Sequence, residues 1–150
     1  MSEIVVVKLG GETLSEQHAT LEGVARVASG RQVVIVHGGG KRLTAWLDRL
    51  GVQSRWHDGR RVTDDAALEV AAAVLGGLVN TELVAALVGL GVPAIGLTGV
   101  DGRLIVAERV PELGRVARVT GARTTELVAL LASGLVPVVA PLALDADGVL

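Results

Sequence analysis

The residues of this 150-residue chain best placed to do chemistry are a lysine and two glycine turns. Val33-Val34-Ile35-Val36 is a run of β-branched residues, which reads as a strand buried on both faces. It runs into His37-Gly38-Gly39-Gly40, after which Leu43, Trp46, Leu47 and Leu50 follow at helical spacing. A buried strand, a glycine turn and a helix start aim unpaired backbone N–H groups at one point, where an anion can sit. Ile4 to Val7 repeats the pattern, running into Lys8-Leu9-Gly10-Gly11 and a second helical stretch. Lys8 and Lys41 are the only lysines, and Lys8 ends an apolar strand, where its charge would be costly to bury without a compensating anion. Two such turns at one sheet edge predict a phosphate site built from two loops. The spacing fits neither the P-loop nor the G-x-G-x-x-G dinucleotide fingerprint.

Other side chains carry weaker signals. Arg61 follows the Asp58-Gly59 turn, and its planar, permanently charged fork suits either a substrate carboxylate or a solvated turn. His37 could serve as a general base, or hydrogen-bond backbone and shape its turn. Asn80 could reach into a site or cap the segment after Gly77. Asp145 and Asp147 lie in a glycine turn and are weak as metal ligands, so no metal site is assigned. Ser15 has no nucleophile-elbow context.

These residues need elements to hold them. The spacing predicts a helix over 15–29, a strand over 33–36, a helix over 41–50 and a hairpin over 53–63. Thr63-Asp64-Asp65 supplies an N-cap and acidic first turn for a helix from Ala66, with a kink at Gly76-Gly77 and a restart at Asn80. Further buried strands are expected at 92–97 and 136–140, a helix at 124–131, and hairpin arms at 104–106 and 116–119 outside the main sheet. The fold class is α/β: an open, mostly parallel sheet with helices on both faces, its ligand beyond the strands' carboxyl ends.

Half of the residues are hydrophobic, but only two are aromatic, so the core is aliphatic. A net charge of −2 argues against nucleic-acid and membrane-surface roles, which favour a basic excess. With no cysteine there is no disulfide framework or thiol chemistry. No basic n-region precedes the first strand, and the apolar stretch 66–92 is broken by Glu69, Asn80 and Glu82, so a cytoplasmic protein is expected. The helices of 66–91 are apolar on more than one face, which predicts the contact of a homodimer.

Six segments occur in order: Val-Lys-Leu-Gly-Gly at 7–11, Val-His-Gly-Gly-Gly at 36–40, Asp-Gly-Arg-Arg-Val-Thr-Asp at 58–64, Gly-Leu-Val-Asn at 77–80, Ile-Gly-Leu-Thr-Gly-Val-Asp-Gly at 95–102 and Leu-Val-Pro-Val-Val-Ala-Pro at 135–141. Together they resemble the amino-acid kinase family over the whole chain, and within it the branch that phosphorylates the γ-carboxylate of N-acetyl-L-glutamate with ATP, in arginine biosynthesis. The resemblance implies that Lys8 stabilises the transferring phosphoryl group and that Gly10 and Gly11 cradle ATP phosphates. Gly39 and Gly40 would then bind the substrate through backbone N–H groups, and Arg61 would hold a substrate carboxylate. It also implies that residues 1–150 form the N-terminal, amino-acid-binding half, with the ATP-binding half and the Mg2+ ligands outside this chain. Lys41-Arg42-Leu43 and Ala117-Arg118 depart from the usual pattern. The sister branch, which acts on aminoadipate or glutamate held on an acidic carrier protein, is the alternative, with Lys41, Arg42 and Arg60 facing the carrier. A non-catalytic amino-acid-binding module is a further one.

Overall fold

The computed structural model describes residues 3–10 and 14–150. Four parallel strands form the main sheet: β1 (Ile4–Leu9), β2 (Gln32–His37), β5 (Ala94–Thr98) and β8 (Val136–Ala140), in the order β1-β2-β8-β5. The central pair is buried as its β-branched runs require, with Val33, Ile35 and Val138 fully buried. The sequence expectation of burial on both faces does not hold for the other two strands. β5 is an edge strand of half-buried and exposed residues, and β1, the opposite edge, alternates. Val5, Val7 and Leu9 enter the core, while Ile4, Val6 and Lys8 stay exposed, Val6 at 65%.

Helices cover both faces. On one side α1 (Leu14–Ala28) and α4 (Asn80–Gly89) pack Leu21, Val24, Leu83 and Leu87 onto Val33, Ile35, Val136 and Val138. On the other, α5 (Thr125–Ala132) sets Leu131 against Val34 and Val139, with Leu104 completing the cluster. Burial of each such aliphatic side chain is worth roughly 1.5–3 kcal/mol. The α/β expectation of a parallel sheet between helical layers is met.

The remaining elements frame the strands' carboxyl ends. α2 (Gly40–Arg49) starts directly after the glycines of β2. The hairpin β3 (Arg55–His57) and β4 (Arg60–Val62) turns at Asp58-Gly59, as an Asp-Gly pair favours. Asp64 caps α3 (Asp65–Ala71) by accepting from the Ala67 N–H at 2.9 Å. A second antiparallel pair, β6 (Ile105–Arg109) and β7 (Ala117–Ala122), stands outside the main sheet, as expected.

Where the glycine pair suggested a kink, α3 continues into a π-helical segment over Ala72–Val79 and then into α4 without a break. Such i→i+5 segments are rare and frequently lie at functional sites. Gly76 permits it to press on the strand ends, since a Cβ there would lie 2.9 Å from Leu142 Cδ1. Asp65–Gly89 is also, among the described residues, the one helix long and apolar enough to span a bilayer. It packs instead as a core helix through Val74, Leu83 and Leu87, with Asn80 buried on the same side as the sheet.

Candidate functional site

The two glycine turns meet. β1 and β2 run in register with Leu9 opposite His37, and the Gly38 N–H donates to the Leu9 carbonyl at 3.0 Å. Lys8, Gly10, Gly39 and Gly40 therefore lie at one edge of the sheet. Gly11 lies outside the described residues.

The glycines answer to different demands. Gly39 is required by the fold itself: its φ is +145°, and a Cβ would sit 2.7 Å from Leu75 Cδ2 of the π segment. Gly10 and Gly40 are under no such demand. Neither has a positive φ, and a Cβ on either would meet nothing within 4 Å. Glycine without an internal reason, at the carboxyl edge of a parallel sheet, fits a position that a ligand approaches closely. Helix α2 adds its N-terminus here, with Gly39 as N-cap and no side chain satisfying the first turn. That turn carries no acid; Lys41 adds a positive charge, against the preference of the helix dipole, while Arg42 is paired with Glu82 at 2.9 Å.

Lys8 is exposed and forms no ion pair among the described residues. The expectation that it must escape a buried position is thereby corrected. On an edge strand whose outer face is open, its charge stays hydrated until something covers it.

Arg61 is brought to the turn through residues that sequence reasoning did not single out. Its Nη2 donates to Thr44 Oγ1 at 2.5 Å, and Thr44 Oγ1 donates to the Gly40 carbonyl at 2.9 Å. Its Nη1 donates to Ser54 Oγ, and the guanidinium stacks 4.5 Å from the Trp56 ring centroid. Thr44 was findable: a threonine one helical turn beyond a helix start commonly bonds back to the i−4 carbonyl. Its role as the seat of Arg61 depends on where the hairpin lands, which no local signal gives.

His37 does not face the open site. It is buried against Asn80, whose Nδ2 donates to His37 Nε2 at 3.0 Å, to the Val138 carbonyl at 2.9 Å and to the Leu97 carbonyl at 3.4 Å. Burial holds the imidazole below its ordinary pKa, partly opposed by the Gly38 carbonyl. Of its two sequence readings, the structure adopts the backbone-shaping one. Neither Asp145 nor Asp147 is set up for a metal: Asp145 accepts from the Asp147 and Val149 N–H groups and pairs with Arg109. The Val149 N–H, ahead of Arg109, holds its carboxyl below the ordinary range.

Beside the site a cavity of about 340 Å3 is lined by Leu43, Leu75, Val116, Leu142 and Leu144. Its two arginines are already engaged, Arg109 with Asp145 at 3.2 Å and Arg115 with Asp65 at 2.6 Å. It is therefore an apolar space, not an anion site.

Taken together, these features define an α/β protein in which two glycine turns, a helix N-terminus and the Lys8 and Arg61 side chains gather at the carboxyl ends of a parallel sheet. The amino acid kinase family model matches residues 3–150, and the chain belongs to that family. It is 48% identical over 145 residues to the acetylglutamate kinase of Rubrobacter xylanophilus, an alignment that takes in 96% of this chain and 56% of that one. The acetylglutamate kinase of Solibacter usitatus is 44% identical over 149 residues, covering 96% of this chain and 58% of its own. The chain thus spans little more than half the length of these curated relatives. Among solved structures, smu.665 of Streptococcus mutans superposes with a TM-score of 0.84 at 24% identity, over 99% of this chain and 62% of that one. An N-acetylglutamate synthase of Neisseria gonorrhoeae, solved with coenzyme A and N-acetyl-glutamate, superposes with a TM-score of 0.76 at 21% identity, over 97% and 35%. These two likenesses establish the fold.

Proposed function

We propose that this chain is the amino-acid-binding half of a cytoplasmic acetylglutamate kinase, which transfers the γ-phosphoryl group of ATP to the γ-carboxylate of N-acetyl-L-glutamate. The observation that carries the reading is the tie from Arg61 through Thr44 to the Gly40 carbonyl. It sets a carboxylate-binding fork beside a glycine turn, in a chain 48% identical to such a kinase.

In this reading the Gly39–Gly40 turn and the start of α2 receive the substrate through backbone N–H groups. Arg61, oriented by two hydroxyls, holds the carboxylate that does not react. Lys8 places one full charge at the phosphoryl group in flight, and Gly10 lets backbone approach it. An ionised carboxylate is itself the nucleophile: one of its oxygens bonds to phosphorus as the bond to ADP breaks, so no protein base is needed. The site fits phosphates through Lys8 and Gly10. The Mg2+ ligands and the rest of the nucleotide site are assigned to polypeptide beyond this chain, in keeping with the absence of any cluster of three His, Cys, Asp or Glu side chains among the described residues. The exposed face of β1, with Ile4 46% and Val6 65% accessible, supports docking of that polypeptide along the edge strand. The carrier-protein alternative is weakened because Arg42 is committed to Glu82 at 2.9 Å.

The test is steady-state kinetics on the intact kinase. Lys8→Ala should lower kcat on the order of 10²-fold with little change in KM for N-acetyl-L-glutamate, comparable to losing an oxyanion-hole donor. Arg61→Ala should raise that KM far more than the KM for ATP. Equal effects of Arg61→Ala on both substrates, or near-normal kcat without Lys8, would overturn the assignment.

A further inference from the structure

The buried pair His37–Asn80 touches neither proposed substrate, yet it holds the peptide on which both turns depend. Gly38 is clamped at both ends. Its N–H donates to the Leu9 carbonyl of β1 at 3.0 Å, and its carbonyl lies 2.7 Å from His37 Nδ1. A carbonyl only accepts, so Nδ1 carries the proton. Nε2 is then bare and must accept, which it does from Asn80 Nδ2. The orientation of the Asn80 amide is fixed in turn, because the same nitrogen faces the Val138 and Leu97 carbonyls. Turning it over would set its oxygen against two carbonyl oxygens. Asn80 thus donates both ways, to the β8 and β5 carbonyls and to His37, and His37 donates onward to the Gly38 carbonyl.

We propose that His37, held by Asn80 in the Nδ1–H neutral tautomer, is a positioning residue that orients the Gly38 peptide. By that peptide it sets the Gly39–Gly40 turn against the Leu9–Gly10 turn. The inference rests on the kinase reading for what the turns bind, but not for the clamp itself. With the Gly38 carbonyl held back, the peptides that follow direct their N–H groups toward the opening. The preceding peptide, through the Gly38 N–H, bonds the Leu9 carbonyl, so the clamp at this residue ties the turn after β2 to the turn beside Lys8.

Two isosteres separate the positioning role from mere core support. Asn reproduces the donor at the place of Nδ1 but cannot reach Asn80; Gln reproduces an acceptor near Nε2 but leaves the Gly38 carbonyl unheld. In the intact kinase, His37→Asn should lower Tm while keeping most of kcat/KM for N-acetyl-L-glutamate. His37→Gln should lower Tm less and lower kcat/KM by on the order of tenfold, the worth of one lost hydrogen bond. A kcat/KM that simply follows Tm across both variants overturns the proposal. Nitrogen NMR of the wild-type protein gives a readout independent of activity and of whether the variants fold: a proton on Nε2 instead of Nδ1 overturns the clamp. Wild-type protein with that tautomer but without activity on N-acetyl-L-glutamate would refute the substrate reading and leave the clamp supported, the crossed Tm order then deciding it.

Discussion

Gly96→Ala should break the Asn80 network from the edge strand β5. Gly96 pairs with Val138 in the β5–β8 ladder, and a Cβ built on it would lie 2.2 Å from Asn80 Oδ1, 3.3 Å from Asn80 Cγ and 3.3 Å from Val84 Cγ2. The first distance is far inside van der Waals contact, so the amide must leave. Its departure strands His37 Nε2 and the Val138 carbonyl, both buried. Overpacking costs about 1–3 kcal/mol, and the two stranded groups together about as much again, so a total loss of roughly 2–6 kcal/mol is expected. Asn80→Ala should cost about 1–3 kcal/mol by the stranded partners alone. In the double variant the new methyl enters space the amide vacated, and Gly96→Ala should then cost less than about 0.5 kcal/mol, a coupling of at least ~1.5 kcal/mol. Urea denaturation of the four proteins measures the cycle. Equal costs of Gly96→Ala with and without Asn80 would refute the contact and the network built on it.

The other predictions concern charge and surface. His37 is held below its ordinary pKa of 6.5, so the unfolded chain takes up its proton first; the stability this contributes is complete above pH 6.5 and is lost as pH falls from there toward the folded value. Denaturation at about pH 7.5 and about pH 5 should show that part of the slope missing in His37→Asn. Much of the apolar surface expected to join two copies is covered within the chain, Val74 and Leu83 being buried, but a groove between Trp46, Leu50, Val70 and Leu78 stays open. Leu78→Glu should therefore dissociate a homodimer in sedimentation, and an unchanged dimer would refute that face. Thr44→Asp should raise KM for the amino acid more than tenfold with no loss of Tm, whereas Thr44→Val should raise it only a few-fold. Equal effects would refute the reasoning about Arg61.

What the sequence made legible was set by local physics. The glycine turn after β2 could be read because four β-branched residues, three glycines and a helical repeat stand side by side. The α3 cap could be read because Asp64 bonds its own first turn. β1 was misread as buried on both faces, since four consecutive apolar residues look alike on an edge and in a centre. Only the sheet order, with no further strand beside β1 among the described residues, shows why Ile4 and Val6 are exposed. Gly76-Gly77 announced an irregularity but not its kind, because a π segment follows from what Leu75 and Val79 must pack against, here Gly39. The His37–Asn80 bond joins residues 43 apart in the chain, and no spacing rule brings them together.

The pattern of charge compensation gives the strongest physical reason to expect an anion at the glycine turns. Four arginines are half-buried: Arg42, Arg61, Arg103 and Arg115. Arg42 and Arg115 hold the carboxylates of Glu82 and Asp65. Arg103 donates to the Asp145 and Ala146 carbonyls, and its charge also acts on the nearby Asp145 carboxylate. Arg61 alone has only two hydroxyls and a ring face, which orient its guanidinium but bring no negative charge. A partly desolvated cation with dipoles and no counterion is less stable than one with a carboxylate, by about 1 kcal/mol or more. The chain had an easy remedy, an acid at position 44 in the second turn of α2, and carries threonine there instead. Placing an acid would satisfy Arg61 permanently and occupy the fork. Leaving a hydroxyl keeps the fork aimed and its charge unspent, which is the arrangement a carboxylate arriving from solution requires.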